Sequence, residues 1–94
     1  MLTIYLSGNL SADSHYTDQV ARNLLREGHA VFIPLRSRSY LADWVNESDL
    51  EFLKRSDSIY MMQGWGTSHA AQQELELALR YKKQLFFEGS VEPA

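Results

Sequence analysis

The chain contains no cysteine, which excludes disulfides and thiolate chemistry and fits a cytoplasmic setting. It also lacks any block of lysines or arginines, and its formal charge is -3. A nucleic-acid polymer is therefore not an expected partner, although a small nucleotide can still bind in a local pocket. Long hydrophobic runs are missing too. No segment nears the roughly 18 apolar residues of a membrane span, and the opening MLTIYLSGN lacks the basic start and the length of a signal peptide. No membrane partner is expected. Repeats, low-complexity tracts and linkers are absent, so the 94 residues read as one domain over 1–94, whose core has little to spare. His15, His29 and His69 show no ligand-like spacing, and neither a metal nor a cofactor is expected.

What is present is organised around the stretch from Asp57 to Ala78. Ser58 to Met62 is a short apolar run that suits a buried strand, and Gly64-Trp65-Gly66 stops it. Thr67 or Ser68 can then cap a helix whose first free N–H groups point back at the turn, which makes an anion site. On a helical wheel with Ala71 at zero, Leu77, Ala70, Tyr81, Ala78, Leu75 and Leu79 fill one arc, and Glu74 falls inside it at about 300°. Gln72, Gln73, Glu76 and Arg80 lie on the opposite face. A solvated glutamate belongs with those four, so Glu74 is a buried acid satisfied by partners, a working acid, or one at the stripe's edge that reaches water past Tyr81.

The rest of the chain supplies a sheet for that helix. Leu2 to Leu6 reads as a buried strand ended by Ser7-Gly8-Asn9. A helix from about Asp13 to Glu27 follows, with Tyr16, Val20, Ala21, Leu24 and Leu25 in its stripe and Gly28 at its cap. Ala30 to Ile33 is a second strand closed by Pro34. The loop carrying Arg36, Arg38 and Tyr40, with Trp44 just beyond, leads to a helix from about Ala42 to Arg55. Its apolar arc holds Val45, Phe52 and Leu53, and also Asp49 at about 260° with Leu50 at zero. Two acids inside apolar arcs on two helices point to a shared cleft. Gln84 to Phe87 is a fourth strand. The alternation of strands and helices predicts a three-layer α/β fold with a four-stranded parallel sheet, order 2-1-3-4, flavodoxin-like or Rossmann-like. That order sets the turns at Gly8 and at Gly64 to Ser68 on either side of one crevice, within reach of Tyr5, Asp49 and Glu74.

These residues, in this order, resemble the nucleoside 2-deoxyribosyltransferase-like superfamily, and most of all its short bacterial and phage members. Ile4-Tyr5-Leu6-Ser7-Gly8 is similar to the opening strand and glycine turn, and Asp49 to Leu53 followed by Asp57 is similar to the aspartate helix and third strand. Gly64-Trp65 and Ser68 through Glu74 to Ala78 are similar to the signature of the short members. The resemblance implies that Glu74 attacks the anomeric carbon of a deoxyribose and that Tyr5 orients it. Asp49 would then protonate or orient the leaving base, with Ser68 holding a 5′-phosphate. Gly8 and Asn9 would line the site; the opening turn lacks the arginine that follows the glycine in the nucleotide hydrolases of that superfamily, and Arg36 or Arg38 of the second loop would take its place at a phosphate. It also implies a homodimer acting on a small nucleoside or nucleotide.

The residues suit that chemistry independently. Cleavage of an N-glycosidic bond passes through an oxocarbenium-like state that a nearby carboxylate stabilises, and the departing base needs a proton. Trp44, Trp65 and Tyr40 suit stacking on a base, and Trp65 equally suits packing over the edge of the core. Two other functions fit the same residues. One is a non-catalytic nucleotide-binding or regulatory module; the other is a structural dimer unit whose apolar patch is only an interface.

Overall fold

A computed structural model describes residues 1–10, 14–34 and 47–89. The elements are β1 (Thr3–Ser7), α1 (Ser14–Arg26), β2 (Ala30–Phe32), α2 (Glu47–Arg55), β3 (Ser58–Met61), α3 (His69–Arg80) and β4 (Gln84–Phe87), with one 3-10 turn at Trp65–Thr67. Every strand pairing is parallel, and the order is β2-β1-β3-β4. The fold is the α/β, Rossmann-like or flavodoxin-like arrangement that the element order predicts. The expected first turn of the second helix, Ala42 to Asn46, lies outside the described residues.

Period-two alternation along the strands divides the core into two. Ile4 and Leu6 of β1 pack with Val20, Ala21 and Leu24 of α1 on one face. Tyr5, Ile59 and Met61 pack with Leu53 of α2 and with Ala71 and Ala78 of α3 on the other. The sheet is thus covered by α1 on one side and by α2 and α3 on the other. Both long helices end in the same way. After α1, Gly28 N–H bonds to Leu25 O and His29 N–H to Leu24 O, with Gly28 at φ 92°. After α3, Lys82 N–H bonds to Leu79 O and Lys83 N–H to Ala78 O, with Lys82 at φ 59°. Glycine takes that left-handed conformation freely, whereas lysine does so only against the crowding of its Cβ.

The wheel counts Leu79 and Tyr81 in the buried arc of α3, but Leu79 is 57% exposed and Tyr81 is exposed as well. The reason is that, among the described residues, α3 has a helical neighbour on one flank only. Leu77 and Leu50 line a groove between α3 and α2, while Leu75 and Leu79 lie on the opposite flank, beyond which no further described helix packs. Phe52 is similarly half exposed, its ring lying flat on Phe32 with centroids 4.1 Å apart.

Candidate functional site

Tyr5 and Ser7 are two residues apart on β1, so both point to the side covered by α2 and α3. Their register neighbours on β3 are Ile59 and Met61, which places them in the middle of the sheet. Glu74 comes down on them from the second turn of α3. Tyr5 Oη donates to Glu74 Oε2 at 2.6 Å, and Ser7 Oγ donates to Glu74 Oε1 at 2.6 Å. Each carboxylate oxygen thus has its own hydroxyl donor, and the glutamate is 0% exposed. A carboxylate can lie there because both oxygens keep strong partners in place of water. The wheel leaves a satisfied acid, a working acid and an edge acid open, and the burial removes the edge.

Asp49 sits in the first turn of α2 and is also 0% exposed. It belongs to the same helical layer as Glu74, since α2 packs against α3. Two acids from two helices are thus buried on one face of the sheet, as their wheel positions predict.

The loops above them meet at the carboxyl ends of β1 and β3. Gly8 has φ 148°, and a Cβ on it would stand 3.0 Å from Met62 Cβ. Met62 N–H donates to Ser7 O at 2.8 Å, so the two strand ends are drawn together where only glycine fits. Asn9 Nδ2 donates to Thr67 Oγ1 at 3.2 Å, and Thr67 Oγ1 in turn donates to Gly64 O at 2.8 Å. The turns at Gly8 and Gly64 therefore border one place, at the point where strand order reverses.

Ser68 is the cap of α3: its Oγ accepts Ala71 N–H at 3.1 Å, and the residue is buried. Trp65 packs on the core cluster and meets Phe87, with ring centroids 5.9 Å apart. That contact is the packing over the core edge that the sequence allows for. Arg36 and Trp44, with Arg38 and Tyr40, lie outside the described residues. Ser7 is missed as a site residue because the sequence reading ends the strand at Leu6 and gives Ser7 to the turn, whereas β1 runs on to Ser7. A polar residue two places along a buried strand must share the face of its neighbour. Among the described residues no group of three or more His, Cys, Asp or Glu side chains could hold a metal ion.

A second polar contact joins β4 to α1. Tyr16 Oη and Gln63 N–H both donate to Glu88 Oε1. Burial first, then the hydrogen bond and charge of Glu88, and last Tyr60, push the Tyr16 hydroxyl from its ordinary 10.0 up to about 12.

Residues 2–87 match a family model described as a domain of unknown function, DUF4406. The chain belongs to the DUF4406 family. The matched span runs from before β1 to the end of β4, so the Tyr5, Ser7, Asp49 and Glu74 arrangement is contained in the DUF4406 domain itself. No curated protein matches the chain. No helix among the described residues of this DUF4406 domain is long and apolar enough to cross a membrane.

Proposed function

We propose that this DUF4406 domain cleaves the N-glycosidic bond of a nucleoside or nucleoside 5′-monophosphate, in the manner of the nucleoside 2-deoxyribosyltransferase-like superfamily it resembles. The single observation that carries this reading is the Glu74 carboxylate held between the Tyr5 and Ser7 hydroxyls at the carboxyl end of a parallel sheet. One carboxylate oxygen attacks C1′ of the deoxyribose, and the C1′–N bond breaks with its electron pair passing to the base. Asp49 supplies or positions the proton that the base takes up. The resulting glycosyl ester on Glu74 is opened at C1′ by water in a hydrolase, or by a second base in a transferase. Either route returns the free carboxylate. The hydroxyl on the oxygen that does not react keeps its bond throughout and fixes the carboxylate's orientation. Ser68 at the start of α3, with Gly8 and Asn9 opposite, is assigned to the 5′-phosphate side of the substrate. The assembly proposed is a cytoplasmic homodimer.

A second reading has its own support. Glu74 has both oxygens occupied and no exposure, as expected of an acid that rigidifies a nucleotide-binding module without turning substrate over. One experiment separates the two. Nucleosides and their monophosphates are screened for release of free base, with mass spectrometry of the intact chain for a sugar adduct on Glu74. Catalysis predicts release that Glu74→Gln and Glu74→Ala abolish while circular dichroism shows the fold retained. A wild type that releases no base but melts higher with a nucleotide is a binding module, and one that does neither overturns both readings.

A further inference from the structure

The two edges of the sheet are not treated alike. The β2 edge is three residues long and is followed by Pro34, and shortness and proline both discourage pairing with another strand. The β4 edge, Gln84-Leu85-Phe86-Phe87, has neither proline nor charge within it and is rich in strand-forming side chains. Gln84 N–H and Glu88 N–H bond to Asp57 O and Met61 O on the β3 side. By alternation, Leu85 and Phe87 therefore turn their N–H and C=O groups outward. Phe87 of this strand and Leu79 of α3, on the flank of that helix turned away from α2, are among the exposed large apolar residues.

We infer that β4 pairs antiparallel with β4 of a second copy of the chain, joining two four-stranded sheets into one. The inference stands apart from the catalytic reading. A two-fold axis normal to the sheet makes a strand antiparallel to its own copy while keeping each face on its own side, so opposed residues share parity. Centred on Leu85, the pairing lets the two Leu85 residues exchange both backbone bonds and carries Glu88 of each copy toward the other's α3 end, where Lys82 stands just ahead of the strand. Centred on Phe86, it sets Gln84 opposite Glu88 and gains no charge pair. The charges flanking the strand therefore select the Leu85 register. Tyr16 and Gln63 both bond to Oε1 of Glu88, which leaves Oε2 for the lysine. Lys82 holds a left-handed φ of 59° that glycine would hold with less strain, and its side chain is exposed. On the helical side of the seam, the α3 flanks carrying Leu75 and Leu79 come side by side and lose their exposure to water.

The test is sedimentation velocity of the full chain over a concentration series. The wild type is expected to sediment as a dimer and to go no further, because the two-fold pairing consumes the β4 edge and β2 does not extend the sheet. Leu79→Glu and Lys82→Glu change exposed side chains and so leave the fold intact; each is expected to shift the chain to monomer. Glu88→Lys alone is also expected to be monomeric, and an equimolar mixture of Lys82→Glu with Glu88→Lys is expected to recover the dimer, since both cross-seam pairs are then again of opposite sign. A wild type that stays monomeric at every concentration overturns the inference. So does a dimer indifferent to Leu79→Glu and Lys82→Glu, or a mixture that stays monomeric.

Discussion

Glu74 is bonded by two hydroxyls that one strand delivers, and the energetics of each can be read separately. Removing a hydroxyl leaves a buried carboxylate oxygen without its donor, which costs about 1–3 kcal/mol. Tyr5→Phe and Ser7→Ala are each expected to lower unfolding free energy in urea by that amount. The double variant is expected to depart from the sum of the two, because both donors serve one acceptor group. If the site is catalytic, both variants also slow base release more than they change KM, since they misplace the carboxylate and leave the rest of the pocket alone. Tyr16 gives a test by pH. Its raised hydroxyl pKa means that the folded chain still holds a proton that the unfolded chain has lost between 10.0 and about 12. Stability from this source is full below pH 10 and is lost as pH climbs toward 12. Urea midpoints measured across that range are expected to fall, and the fall to be shallower in Tyr16→Phe.

At the scale of elements, β1 and β3 are tied at both ends. At the amino end, Thr3 N–H donates to Asp57 Oδ2 at 2.9 Å, and that backbone bond, followed by the Thr3 hydroxyl, holds the Asp57 carboxyl below its ordinary 3.8. A lowered carboxyl contributes stability above its ordinary value and loses it as pH falls through the lowered one. Asp57→Asn is therefore expected to flatten the acid limb of the stability profile in urea melts. The end of α3 offers the opposite kind of change. Lys82→Gly removes the left-handed strain and is expected to raise the stability of the folded chain by about 1 kcal/mol in urea, while weakening self-association in sedimentation. The strands were legible because their apolar runs are bounded by Gly8, Pro34 and Gly64, and the placing of Glu74 and Asp49 was legible because each interrupts the apolar arc of its helix. The exposure of Leu79 was not, because a wheel shows which residues share a flank and not whether a neighbour covers it.

At the scale of the whole molecule, the Asn9 to Thr67 contact joins the turns at the carboxyl ends of the strands, and β4, with neither proline nor charge within it, lies at the end of the strand order. Strand order was legible from the alternation of elements and the handedness of crossovers. The joining of the turns through Asn9 and Thr67 was not, since residues 58 positions apart meet only once β1 and β3 are neighbours. That neighbourhood makes Glu74 a guard on alignment during folding. A slip of β1 by a single residue between β2 and β3 turns Tyr5 and Ser7 toward α1, carries Ile4 and Leu6 under α3, and strands an acid among hydrocarbon. Misaligned sheets are thereby penalised by the very group that the correct one accommodates. Glu74→Leu, whatever it does to activity, is expected to admit a population of shifted chains, visible as doubled amide resonances from β1.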